Sequence, residues 1–264
     1  MAMKFDDVVL MIEGIAPGHI QESWDNSGIQ ISTGKMEIGK ILTSLELTDE
    51  VVEEAIREDA DMIITHHPLI FGGIKRGDFR DPVGSMILKL INAGISVYSS
   101  HTPFDKIEGG NNDYLAELIG LRDISGFTDG NEVDMIGRIG ILQHPMMLSS
   151  VVDLLAQQLN MDSNEIRFVG DPNQMITTVG LCTGAGADLM DLAAANGCQL
   201  FITGDLKYHD AQNAKAKGIA VIDAGHYGTE KSFADNFADK LRSVAGDRLE
   251  VIESKVDIDP FEFL

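Results

Sequence analysis

Four histidines of this chain stand just beyond stretches that read as buried strands. His66 and His67 follow Met62-Ile63-Ile64-Thr65, His101 follows Ile95-Ser96-Val97-Tyr98, and His226 follows Ile219-Ala220-Val221-Ile222. Two acids keep a fixed distance from them, Asp105 four residues after His101 and Glu230 four after His226. On a helix that spacing sets both side chains on one face, where imidazole and carboxylate can grip one ion. His66, His67, Asp105, His226 and Glu230 thus form a set of three nitrogen and two oxygen donors, suited to Zn, Fe, Mn or Ni. Such a set leaves open positions on one ion or, with a bridging carboxylate and water, holds two ions about 3.5–4 Å apart. An ordinary cluster of loop histidines is the alternative. On a regular strand His66 and His67 would face opposite ways, unless a turn beginning at Pro68 aims both inward.

These residues need a scaffold that gathers strand ends, and the chain reads as one. Thr48 is a good N-cap for a helix through Arg57, whose Val51, Val52, Ala55 and Ile56 make an apolar face. Met62–Thr65 reads as a strand buried on both faces. A second helix, Val83–Asn92, is closed by Gly94, and the strand Ile95–Tyr98 follows. The alternation is βαβ, so the expected class is α/β with mostly parallel or mixed sheets, and ligands should gather at the carboxyl ends of the strands.

The second half repeats the first. Placing Ile202 on Ile64 gives an offset of 138 residues, and Leu42–Ala60 then falls on Gly180–Cys198 without gaps. Gly94-Ile95-Ser96-Val97 likewise resembles Gly218-Ile219-Ala220-Val221, and His101-x3-Asp105 parallels His226-x3-Glu230 at an offset of 125. Two similar α/β lobes are implied. The seam is expected in the turn-rich stretch Ser125–Asn131, with residues 1–125 plus 221–264 in the first lobe and 126–220 in the second.

Composition narrows the function. The 264 residues carry 42 Asp and Glu against 20 Lys and Arg, a formal net charge of −22, which argues against nucleic-acid polymers and anionic membrane surfaces as partners. Because 44% of residues are hydrophobic, the acidity is not that of a disordered chain. Cys182 and Cys198 cannot make a disulfide framework and read as small buried residues. The first residues lack the pattern of a signal peptide, and no apolar run reaches the roughly 18 residues of a membrane span, so a cytoplasmic protein is expected.

Five blocks make the sequence resemble a known family. They are Ser23-Trp24-Asp25-Asn26-Ser27-Gly28, Thr65-His66-His67-Pro68-Leu69-Ile70-Phe71, Ser100-His101-Thr102-Pro103-Phe104-Asp105, Thr203-Gly204-Asp205-Leu206-Lys207-Tyr208-His209 and Asp223-Ala224-Gly225-His226-Tyr227-Gly228-Thr229-Glu230. The chain resembles the GTP cyclohydrolase I type 2 homologue family, the Nif-three-like metal-binding proteins, in a short form without an inserted domain. The resemblance implies two interlinked lobes, a ring-shaped homohexamer and two divalent metal ions per chain on His66, His67, Asp105, His226 and Glu230. Pro103-Phe104 departs from the Asn or Leu usual there without removing a ligand.

Other motif residues have open roles. His101 and His209 are candidate proton carriers or orienting partners, and Asp205 and Lys207 either contact substrate or bind each other. Trp24 either stacks on a base or anchors the core. Two functions follow: a metal-dependent hydrolase of the GTP cyclohydrolase kind acting on a nucleotide-like small molecule, or a non-catalytic metal carrier, sensor or regulatory interaction protein.

Overall fold

The computed structural model describes residues 2–74, 76–129 and 133–263, without the side chains of Val133, Asp134 and Met135. In chain order the elements are β1 (Met3–Lys4), α1 (Phe5–Ile15), β2 (Gly28–Ile31), β3 (Glu37–Ile38), β4 (Lys40–Ser44), α2 (Asp49–Arg57), β5 (Met62–Thr65), α3 (Pro82–Ala93), β6 (Ser96–Ser99) and α4 (Thr102–Lys106). Then follow α5 (Asn111–Leu118), β7 (Leu121–Thr128), β8 (Val133–Met147), α6 (Leu148–Leu159), β9 (Arg167–Val169), β10 (Met175–Leu181), α7 (Met190–Ala195), β11 (Leu200–Thr203) and α8 (Tyr208–Lys217). The last are β12 (Ala220–Asp223), α9 (His226–Glu230), α10 (Phe233–Ala245) and β13 (Glu250–Glu253).

Two compact units share this chain. Unit 1 is Met1–Phe104 with Ser232–Pro260, and unit 2 is Asp105–Lys231 with the residues from Phe261 onward. The boundaries therefore fall at 104/105 and 231/232, not at 125/126 and 220/221. The physical reason is strand pairing. Ser125–Thr128, read from its turn-forming residues as a seam, belongs to β7, which pairs antiparallel with β8, and Ala220–Asp223 is β12, paired with β11. Gly130 and Asn131 of the expected seam lie outside the described residues.

The sheet of unit 1 has the order β13-β4-β5-β6-β2, parallel except for the edge strand β2. Every residue of β5 and β6 is buried, as strands covered on both faces must be. Around them Leu42, Val51, Val52, Ala55, Ile63, Leu90 and Val97 form one core. The local signals act as read. Thr48 Oγ1 accepts from Val51 N at 3.3 Å to cap α2, and Gly94, at φ +72°, ends α3 in the left-handed conformation. Phe104, Phe233 and Phe237, all fully buried, stack with centroids 5.1–5.3 Å apart.

In unit 2 the sheet order is β7-β8-β10-β11-β12-β9, mixed, with β10, β11 and β12 parallel. The repeat shows in its register. Leu42 faces Ile63 in unit 1 and Gly180 faces Phe201 in unit 2, the same pairing displaced by 138. Ile63 faces Val97, and Phe201 faces Val221. The likeness extends to side-chain clamps. Asp61 Oδ2 accepts from Gly39 N and Lys40 N at 2.6 and 3.0 Å, and at the equivalent place Gln199 Oε1 accepts from Thr177 N and Thr178 N at 2.7 and 3.1 Å. Gly218, at φ +74°, ends α8 as Gly94 ends α3.

Asp61 also binds Lys35. Burial alone would raise its carboxyl, but the bonds from Lys35, Gly39 and Lys40 outweigh that and hold it below the usual carboxylate range. With the folded pKa below the unfolded value near 3.8, its stabilisation is complete above that value and is lost as pH falls through the folded one. Asp61→Asn is expected to lower stability at pH 7 on the order of 1 kcal/mol, solvent at the strand end keeping the loss modest. Urea unfolding should show that difference narrowing toward pH 3. A difference equal at both pH values would contradict the assignment.

Candidate metal centre

Each predicted donor follows the carboxyl end of a parallel strand, but the strand ends differ in how they turn. After β5 the amides of His66 and His67 both donate to the carbonyl of Leu45, at 3.1 and 3.0 Å. Two successive amides on one acceptor break the strand's alternation, so the adjacent histidines need not face opposite ways. Their ring centroids lie 5.1 Å apart. Hydroxyls lock the turn: Thr65 Oγ1 and Ser99 Oγ donate to the carbonyl of His67 at 2.8 and 3.2 Å. His101, beyond β6, completes the group, and the three imidazoles of unit 1 offer nitrogens within 4.8 Å of one another.

Unit 2 brings together the other donors. Glu230 Oε2 lies 3.0 Å from His226 Nε2, one turn apart on α9 as the spacing predicts. Asp105 and Glu230 offer carboxylate oxygens within 4.8 Å of each other, and both residues are buried, at 7% and 4% exposure. Buried carboxylates this close repel, and a cation between them relieves the cost. Asn111 Nδ2 donates to Asp105 Oδ1 at 3.0 Å and Asn112 Nδ2 to its carbonyl at 3.3 Å, which fixes the carboxylate at the unit boundary. Neither asparagine stands in a motif read from the sequence.

The histidines share one feature that spacing could not reveal: an oxygen partner at Nδ1. His66 Nδ1 donates to the carbonyl of Ser100 at 2.9 Å. His101 Nδ1 donates to Asp25 Oδ1 at 2.9 Å, and His226 Nδ1 to Asp205 Oδ2 at 2.8 Å. His67 Nδ1 lies 3.5 Å from Glu46 Oε2. Engagement of Nδ1 sets the tautomer and leaves Nε2 as the nitrogen suited to a metal, the arrangement that orients and strengthens imidazole ligands. The residues therefore fit divalent ions on donor chemistry.

Asp25 does most to hold the His101 loop. Its side chain has no exposed surface and accepts from Ser27 Oγ at 2.7 Å and Thr102 Oγ1 at 2.5 Å as well as from His101. Burial would raise its carboxyl, but the bonds from His101, Thr102 and Ser27 prevail and hold it well below the carboxylate range. Of the remaining motif residues, Asp205 accepts from His226 Nδ1, a partner that is neither of the two, substrate or Lys207, expected from the sequence. Lys207 is exposed and precedes α8, its amide donating to Asp210 Oδ2 at 3.3 Å. His209 stands exposed on the first turn of α8, edge-on to Tyr208 at 5.3 Å, and among the described residues it joins none of the donor groups. Trp24 is 56% exposed and so does not anchor the core. Cys182 and Cys198 are both buried, and burial pushes the Cys198 thiol up to about 12.

Two glycines set the space around the donors of unit 2. Gly204, which replaces His66 in the repeat, lies so near Gly225 and His226 that a Cβ would meet their backbone at 2.7 Å. Gly184, at φ +63°, backs onto Glu230. A Cβ there would meet Glu230 Oε1 at 2.2 Å and His226 Nε2 at 3.1 Å, while its amide is held by Thr229 Oγ1 at 2.9 Å. Gly184→Ala is therefore expected to displace both donors and lower metal content per purified chain at least several-fold, read by elemental analysis, with the circular dichroism spectrum retained. Unchanged metal content would contradict this packing.

The Duf34/NIF3 (NGG1p interacting factor 3) family model matches residues 3–260. A Clostridium perfringens protein called GTP cyclohydrolase 1 type 2 homolog is 34% identical over 99% of this chain and 100% of its own length. A Helicobacter pylori protein called GTP cyclohydrolase 1 type 2 is 34% identical over 90% of this chain and 91% of its own. Among solved structures, that of the Staphylococcus aureus hypothetical protein SA1388 superposes with a TM-score of 0.90 at 29% identity, covering 99% of each chain. Among the described residues no helix is long and apolar enough to cross a membrane. With its length matched almost throughout, the chain belongs to the Duf34/NIF3 family.

Proposed function

We propose that His66, His67, Asp105, His226 and Glu230 are the ligands of two divalent ions per chain, and that the protein is a metal-dependent hydrolase of the GTP cyclohydrolase 1 type 2 kind. Its substrate in this reading is a nucleotide-like small molecule, and its working form is a homohexamer. One observation carries the reading: two buried carboxylates stand within 4.8 Å of each other, while four histidines are each engaged at Nδ1 by an oxygen. Divalent cations would relieve the repulsion of the carboxylates and find the imidazoles already oriented. The names of the relatives supply the reaction type.

Divalent ions on such donors supply Lewis acidity and shift the acidity of water toward neutral pH. The protein's own residues supply the rest. His101, its ring fixed by the bond from Nδ1 to Asp25, presents Nε2 as the atom that would take and return a proton. Asp205 holds His226 at a fixed angle by the same kind of bond. Thr65 and Ser99 keep the turn that aims His66 and His67. His209, exposed on α8, is assigned no step.

The purified, untagged protein is expected to hold roughly two equivalents of divalent metal per chain, and Glu230→Ala to lose most of it. GTP ring opening, followed by absorbance, should disappear in His67→Ala. Less than one equivalent, unchanged by Glu230→Ala, would overturn the ligand assignment. Retained metal without turnover on any nucleotide, with rapid transfer of metal to an acceptor, would favour a metal carrier instead.

A further inference from the structure

Trp24 is the protein's single tryptophan, and it lies exposed on a loop that is anything but loose. Asp25, beside it, takes hydrogen bonds from Ser27, His101 and Thr102. Asn26 Nδ2 donates to the carbonyl of Ile70 at 2.5 Å, and Ile70 N donates to Gln30 Oε1 at 3.1 Å. These bonds tie the Trp24 loop to the segment that carries Phe71. Phe71 is 55% exposed, and its ring centroid lies 6.1 Å from that of Trp24. The His101 ring stands edge-on to both, at 5.8 Å from Trp24 and 6.4 Å from Phe71.

Two large aromatic rings kept exposed on fixed backbone sacrifice burial that would otherwise stabilise the fold, and such surface marks a contact. Its position selects the contact. Both rings flank His101, which stands 5.0 Å from His66 and 5.7 Å from His67 between ring centroids. The two rings are tilted 49° to each other, so a planar heterocycle stacks its π-face on one ring and meets the other at an angle, with its polar edge toward the histidine.

We propose that Trp24 and Phe71 form a stacking platform for the nucleobase of the substrate, holding its ring beside His101. The platform rests on the reading of the site above only for the kind of ring it receives. Its geometry belongs wholly to unit 1 and requires no metal. Because Trp24 is the single tryptophan, intrinsic fluorescence reports this place alone.

The test titrates the full-length purified protein with guanosine, which has the base but no phosphate, while metal content is measured on the same samples. Saturable quenching of Trp24 emission is expected. Phe71→Ala should weaken the apparent affinity about 5- to 150-fold, the range for losing one stacking partner, at unchanged metal content. Absence of saturable quenching, or an affinity indifferent to Phe71→Ala, would overturn the platform, including the case in which a second copy of the chain covers these rings. Either result leaves the metal assignment to stand or fall on its own measurement.

Discussion

An imidazole binds a metal well only if its other nitrogen is held, and a carboxylate can be buried only if something positive or a donor answers it. Those two requirements organise this molecule. His66, His101 and His226 each give Nδ1 to an oxygen at 2.8–2.9 Å, and Asp105 is braced by Asn111 and Asn112. The partners come from places with no shared motif: a backbone carbonyl, a loop near the amino terminus, a strand end in the second unit. The parallel sheets are what deliver them, because each strand ends where its neighbour's following loop begins.

The repeated architecture has been used asymmetrically. Strand register, the Asp61 and Gln199 clamps and the left-handed glycines after α3 and α8 coincide between the halves. Ser100 N donates to Thr65 O at 2.8 Å, and Ala224 N to Thr203 O at 3.0 Å. Beyond that point the halves part. Gly225, at φ +75°, is one residue extra, which is why the histidine motifs are offset by 125 where the strands are offset by 124. At the earlier strand end, His66 and His67 become Gly204 and Asp205. Glycine is required there by the backbone of Gly225 and His226, and the aspartate orients His226. Unit 1 thus presents a row of imidazoles, while unit 2 presents two carboxylates and a single supported histidine.

Acidity is a background property that the site does not exploit wholesale. Of the 42 acidic residues, Asp105 and Glu230 are the proposed ligands, while Asp25, Asp205 and Glu46 face histidines. Asp61 works for the fold. A net charge of −22 disfavours anionic polymers through long-range repulsion, and in the proposed reading the divalent cations would answer the charge of a small nucleotide locally.

Much was legible in the sequence. The short, fully buried β5, the capping residues Thr48 and Gly94, and the 138-residue offset follow from local chemistry and periodicity, which act over a few residues whatever the rest of the chain does. The family blocks and the i, i+4 pair His226–Glu230 are of the same kind. The unit boundaries were not legible, because Ser125–Thr128 has the composition of a turn and becomes strand only by pairing with β8. Nor was the inward aim of both His66 and His67, which depends on one distant acceptor, the carbonyl of Leu45. The supports of the histidines, the bracing asparagines and the closeness of Gly184 to Glu230 were likewise hidden. Sequence determines which donors exist and on which strand ends they stand. Only the tertiary structure decides which oxygen meets each Nδ1, because those contacts join residues as far apart as Asp25 and His101, and hydrogen bonds across such distances exist only once the sheets have formed.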